Sequence, residues 1–137
     1  MRKLNLSIND ANKDLRMIEN FVEILYDDFS LPEDFRGRMV LSIIAGASHV
    51  TVFDNDRKKA NIVEIEAYYD KEKVCITIEN PKGGYDFTPD HMQNKRHEMY
   101  LLLSMTDQLL FSENGAKVTM IFFIKPAEVK PERCYLN

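Results

Sequence analysis

Val63–Glu79, VEIEAYYDKEKVCITIE, decides the fold of this chain, because two runs of alternating apolar and polar residues flank one charged turn. A period of two predicts strands with one buried face. The turn at 70–73, DKEK, is short enough to join them as an antiparallel hairpin. The predicted buried positions are Val63, Ile65 and Ala67, followed by Val74, Ile76 and Ile78.

A short strand and an amphipathic helix are predicted at the start of the chain. Residues 4–8, LNLSI, alternate like a strand. Asn9 or Asp10 then caps a helix over about 10–29. Spacings of three and four place one apolar stripe on this helix, formed by Leu15, Ile18, Val22, Leu25 and Phe29.

A second helix follows directly, and its sequence predicts the most buried element of the fold. Ser30 and Glu33 form a capping-box pattern at its start, and helical spacing continues to about Phe53. Residues 41–47, LSIIAGA, are apolar on nearly all sides. A helix without a polar face is expected to pack against other elements all round.

The second half of the chain predicts one more helix and a closing hairpin. Residues 80–89 contain two Pro and two Gly and form an irregular segment. A helix over 90–105 follows, then strands at 108–111 and 117–124 around the turn dipeptide 114–115. The last strand has few polar positions, so we expect it to be buried on both faces inside the sheet. The residues expected to face inward on the helix are Met92, Met99, Leu102 and Leu103.

Together these elements predict an α+β fold: a two-layer sandwich with three helices on one face of a mixed, mostly antiparallel sheet. The 137 residues, 45% of them hydrophobic, suit one domain over 1–137. Its core is expected over 4–124, and an extended tail over 125–137.

Charge, cysteine content and hydropathy predict a cytoplasmic protein with no membrane or nucleic-acid partner. The net charge of −4 disfavours phosphate-backbone binding, and no apolar run is long enough to cross a bilayer. Cys75 and Cys134 have no spacing of a disulfide framework or zinc site, and we expect Cys75 to be a small buried hydrophobe. The opening residues lack the apolar stretch of a secretory signal.

Three stretches resemble the ATPase domain of the GHKL superfamily, which includes gyrase and the histidine kinases. These are LPEDFRGRMVLSIIAGASHVTVFDND at 31–56, VCITIENPKGGYDF at 74–87 and DQLLFSENGAKVTMIFFI at 107–124. Small bacterial anti-sigma factor serine kinases are the members most similar to this chain in length and element order. The resemblance covers about 4–124 and implies a fold with helices on one face of a sheet.

The residues that the resemblance aligns with the family's nucleotide machinery have largely changed. The family's helix carries a Glu base and, four residues later, an Asn that holds Mg²⁺; Ile43 and Ala47 stand at these positions. Neither side chain offers an oxygen ligand. The Asp-x-Gly-x-Gly motif aligns with 80–84, NPKGG, where Asn80 is either a turn former or a remnant adenine contact. The resemblance therefore implies a degenerate ATP pocket at Ala47, Asn80, Gly83 and Gly84.

The last Gly-rich phosphate turn of the family aligns with 96–101, where Glu98 and Tyr100 replace glycines. We therefore expect no catalytic residue, no metal ligand and no cofactor, with ATP and Mg²⁺ as the alternative. The predicted function is an anti-sigma-like regulator that binds a sigma factor or an anti-sigma antagonist, with a homodimer through the first strand and helix. The alternative is an active serine/threonine kinase of the anti-sigma type. A third hypothesis is a binder of another small molecule.

Overall fold

The computed structural model describes residues 2–9, 13–29, 31–50, 62–81, 89–112 and 116–124. They form three helices and an open five-stranded sheet in the order β1-β2-β3-β5-β4. This confirms the α+β class, and all four strand pairings are antiparallel. The elements are β1 (Arg2–Ile8), α1 (Leu15–Phe29), α2 (Glu33–Val50), β2 (Val63–Tyr69), β3 (Lys73–Glu79), α3 (Pro89–Met105), β4 (Gln108–Ser112) and β5 (Lys117–Phe123).

The predicted hairpin of β2 and β3 is confirmed, with Ile65 opposite Ile78 and Ala67 opposite Ile76. Asp70 closes its turn, since one carboxylate oxygen accepts the N–H groups of Glu72 and Lys73 at 2.8 and 3.0 Å. These two hydrogen bonds stabilise the charged form and lower the pKa of Asp70.

Only one face of the sheet is buried. Val118, Met120 and Phe122 on β5 are fully buried, whereas Thr119 and Ile121 are half-buried and Phe123 is exposed. The prediction that this strand is buried on both faces was therefore wrong, because all three helices cover the same side. Cys75 lies on the uncovered face and is half-buried. Burial raises the pKa of its thiol.

The first helix begins later than predicted. Asp14 stands at its start, where its backbone carbonyl accepts the N–H groups of Met17 and Ile18. Its side-chain carboxylate accepts the N–H of Asn9 at 2.9 Å and ties the end of β1 to the helix start. Asp14 thus stands at the N-cap position, directly before Leu15, in place of the predicted Asn9. Asp10 lies outside the described residues.

The second helix approaches the sheet closely at Gly46. A Cβ atom built on this residue would lie 2.7 Å from Cδ1 of Ile78 and 3.8 Å from Sδ of Met120. Because real Cβ atoms almost never come within 3.0 Å of another heavy atom, only glycine fits without a shift. On either side of Gly46, Met39 and Val50 are also buried. Among the described helices it has the most buried residues, but Leu41 is 45% exposed, so the expectation that it packs against other elements all round was wrong. None of the described helices is long and apolar enough to span a membrane.

The third helix lies beside the second and is held by Arg38. Its Nε and Nη2 donate to the backbone carbonyl of Met105 at 3.1 and 2.9 Å, which satisfies a carbonyl at the end of the helix. Leu102 is fully buried as predicted and Met99 is half-buried, but Leu103 is 56% exposed. The side chain of Met92 lies outside the described residues.

We predict opposite effects for alanine at two glycines of α2. Gly37→Ala should raise the free energy of unfolding by about 0.5–1 kcal/mol, because a Cβ there meets nothing within 4 Å and alanine favours the helix. Gly46→Ala should lower it by about 1–2 kcal/mol, because Ile78 must shift in a packed core. Urea unfolding of the three proteins measures both effects.

A double-mutant cycle isolates the contact at Gly46. Ile78→Val removes Cδ1, the atom that the new Cβ would approach. It should therefore destabilise the Gly46→Ala protein less than it destabilises the wild type. If Ile78→Val lowers the free energy of unfolding equally in both backgrounds, the approach of residue 46 to Ile78 does not limit the packing of the helix.

Candidate functional site

The predicted site residues that the structure describes lie where α2 and β3 end and β5 begins. Asn80 follows directly after β3 and is only 2% exposed. Its backbone N–H donates to the carbonyl of Ala116 at 2.9 Å, and its side-chain Nδ2 donates to the carbonyl of Val50 at 3.0 Å. One residue therefore connects the end of the helix, the end of one strand and the start of another.

The hydrogen bond to Val50 has a clear structural role. The last four carbonyl groups of an α-helix have no partner within the helix, and a buried one needs a donor. Asn80 supplies that donor. An aspartate, which the resemblance expects at this position, has no N–H to offer.

Ala47 lies one helical turn before Val50, so the structure places Ala47 and Asn80 at the same end of the molecule. Ile43 and Ala47 are 0% and 1% exposed and belong to the hydrophobic core. Met39, one turn before Ile43, belongs to the same core. Gly83 and Gly84 lie outside the described residues.

A different stripe of α2 carries the polar groups that face its neighbours. Ser42 and His49 follow Arg38 by four and eleven residues, so helical spacing aligns them with the side chain that binds α3. Both are buried, and the His49 ring lies 5.0 Å from the ring of Phe111 on β4. Among the described residues, no hydrogen-bond partner faces Oγ of Ser42.

The sequence alone did not place Ser42 and His49 together. The signal was present as the spacing 38, 42, 45, 49, which is one face of a helix. This face is hard to recognise in a segment that is almost entirely apolar. The neighbouring Ile43 and Ala47 predict burial on every side of the helix. Only the position of the neighbouring helix and strand shows which way each stripe points.

The described groups at this end of the molecule offer little chemistry for a bound metal ion. No cluster of three or more His, Cys, Asp or Glu side chains within the described ranges could hold one. The side chains at 43 and 47 are hydrocarbon, and the Asn80 amide nitrogen already donates to Val50. The residues present here stabilise the junction of helix and sheet.

No family model matches the chain, and a search of curated proteins found no match either. Function is therefore inferred from the fold and from the contacts of these residues.

We predict that Asn80→Asp, which restores the residue typical of the GHKL family, destabilises the protein. The carboxylate would lose the bond to Val50 and be buried beside a carbonyl oxygen, at a cost of about 1–3 kcal/mol. Burial should raise the pKa of the introduced carboxyl group above its unfolded value. The penalty should therefore be smallest below the unfolded pKa of about 4 and grow as the pH rises.

Urea unfolding of the wild type and Asn80→Asp at pH values of about 4 and about 7.5 measures this difference. A variant as stable as the wild type under both conditions would contradict the assigned role of the Asn80 amide.

A second prediction compares Ile43→Glu with Leu41→Glu on the same helix. Ile43 is fully buried and Leu41 is 45% exposed. A carboxylate at 43 should cost about 3–5 kcal/mol or abolish folding, and at 41 about 0.5 kcal/mol. If position 43 instead opened into a nucleotide pocket, both variants would be tolerated alike. Thermal unfolding monitored by circular dichroism distinguishes these outcomes.

Proposed function

We propose that this protein is a cytoplasmic regulator that resembles the anti-sigma factor kinases and acts by binding another protein, with nucleotide binding weakened or lost. The observation that carries the proposal is the burial of Ile43 and Ala47 in the hydrophobic core. At these positions the resemblance implies a carboxylate and an amide. Phosphoryl transfer depends on positioning and charge neutralisation, and neither methyl nor butyl groups provide them.

The contacts of Asn80 support the same proposal. Its Nδ2 is bonded to Val50, and its backbone is bonded to Ala116. An adenine-binding residue at this position would have to direct its polar atoms toward a ligand. Here Nδ2 and the backbone N–H join three elements of the fold, which supports a structural role for these two groups.

The surface of the helical layer offers candidate positions for a protein partner. Large apolar side chains are exposed on all three helices, and where such side chains are contiguous they form interaction surfaces. They are Leu15, Met17 and Ile24 on α1, Leu41 on α2, and Tyr100, Leu101 and Leu103 on α3. The proposed partner is a sigma factor or an anti-sigma antagonist. The net charge of −4 disfavours DNA, so regulation is proposed to act on the transcription protein itself.

The proposal predicts a stable complex with a sigma factor or its antagonist, and no stabilisation by nucleotide. Each candidate partner from the source organism is titrated with the purified protein by isothermal calorimetry, without nucleotide and with Mg-ATP. We expect the same affinity in both conditions. Thermal unfolding with millimolar Mg-ATP should be unchanged, whereas a ligand at about 100 times its Kd adds about 2.7 kcal/mol.

A variant on the helical surface provides the matched control. Leu41 lies on the same helix as Ile43 but is exposed, so Leu41→Glu leaves the core intact. The variant tests whether the helical surface at residue 41 contributes to partner binding. A shift of several degrees with Mg-ATP, together with phosphate transfer to a partner, would favour the active kinase. No complex with any sigma factor or antagonist would exclude the proposed function.

A further inference from the structure

The two edges of the sheet differ in the side chains that they expose. Each edge strand leaves alternate backbone N–H and C=O groups unpaired, which makes it a template for another strand. On β1 the exposed side chains are Lys3, Asn5 and Ser7, all polar. The ammonium group of Lys3 lies 3.1 Å from the Glu66 carboxylate, and Ser7 donates to Glu64 at 2.7 Å. Polar groups engaged with β2 therefore occupy this edge.

Among the described residues, no ion pair or side-chain hydrogen bond of this kind is formed by the opposite edge strand, β4. Its five residues, QLLFS, contain no charged residue and no proline. Leu110 is 60% exposed and Phe111 38% exposed, although both belong to a regular strand. An apolar, neutral edge strand favours strand pairing with another chain.

We propose that β4 pairs with β4 of a second copy of this chain, in an antiparallel dimer with its twofold axis at Leu110. The strand is complementary to itself in this register. Leu110 lies opposite Leu110, Leu109 opposite Phe111, and Gln108 opposite Ser112 of the second copy. Apolar residues thus meet apolar residues, and polar ends meet polar ends. This dimer goes beyond the proposed function and does not depend on it. It places the interface at β4 and not at the first strand and helix, where the resemblance implied it.

The twofold axis also brings the third helices together. It runs perpendicular to the sheet, so the helices of both copies lie on the same side of one continuous sheet with five strands from each copy. Only Thr106 and Asp107 separate α3 from β4, so α3 is the helix nearest this edge. A five-residue strand alone buries less than the roughly 1,200 Å² typical of stable interfaces. The exposed Tyr100, Leu101 and Leu103 provide further apolar area on α3.

The charge of the chain gives this dimer a distinctive salt dependence. Each copy carries a net charge of −4, so two copies repel each other as they approach. Asp107, directly before β4, adds a negative charge beside the proposed interface, and Arg38 at 3.9 Å offsets only part of it. Salt screens such repulsion, so the dimer should become tighter as the salt concentration rises.

Disulfide trapping tests the register directly. Leu110→Cys is made in a background in which Cys75 and Cys134 are replaced by serine. Residues opposite each other in antiparallel strands have Cα atoms about 4.5–5.5 Å apart, within the range of about 4.4–6.8 Å that a disulfide spans. Mild oxidation at micromolar protein concentration should convert most of the protein to a covalent dimer. Asn5→Cys, at the centre of β1, is the matched control and should stay monomeric.

Sedimentation velocity on uncrosslinked protein provides the second measurement. The wild type should form a dimer that strengthens between low and high salt. Leu110→Lys places two like charges on the twofold axis and should weaken the dimer at least about tenfold, whereas Asn5→Lys should leave it unchanged. Circular dichroism verifies that each variant folds. If Leu110→Lys fails to fold, disulfide trapping with Leu110→Cys still tests whether the dimer forms through β4.

Three results would overturn the inference. The first is a wild type that is monomeric at every salt concentration, and the second is a Leu110→Cys protein that does not crosslink. The third is crosslinking at Asn5 instead of Leu110, which would place the dimer at the first strand. Any of these leaves the proposed regulatory function open, since that function is tested by partner binding.

Discussion

The close contact between α2 and the sheet at Gly46 constrains the rest of the structure. A Cβ atom there would lie 2.7 Å from Cδ1 of Ile78, so the helix backbone packs closely against β3. The end of the same helix lies within hydrogen-bonding reach of Asn80. Ala45 and Ala47, on either side of Gly46, belong to the hydrophobic core.

Burial of α2 separates its surface into stripes with different roles. Met39, Ile43 and Ala47 belong to the core, while Arg38 reaches the carbonyl of Met105 on α3. A buried helix carbonyl needs a donor, and the amide of Asn80 supplies one to Val50. The side chains of Ile43 and Ala47 are part of the hydrocarbon packing between the helix and the sheet.

The fold also leaves two surfaces without cover. All three helices lie on one side, so the other face of the sheet is open, with Tyr68, Cys75 and Ile121 half-buried on it. Tyr68 donates to Glu66 at 2.6 Å, and together with Lys3 this bond lowers the pKa of Glu66. Polar contacts of this kind lie on the half of the sheet that contains β1 and β2. On the half that contains β4, the described residues include exposed apolar side chains, Leu110 and Phe123.

The sequence by itself determined the number, type and order of the elements, whereas only the tertiary structure decided which faces are buried and what the predicted site residues contact. The alternation in Val63–Glu79 is a local pattern that backbone geometry converts directly into strands. The apolar stretch of β5 suggested burial on both sides, but three helices on one face leave Phe123 exposed. Asn80 was compatible with a turn or a ligand contact until the end of α2 was placed beside it. Asn80 and Val50 are 30 positions apart, and no local pattern encodes the distance between two elements. That distance depends on the packing of all the side chains between them, including the close approach of α2 to Ile78 at Gly46.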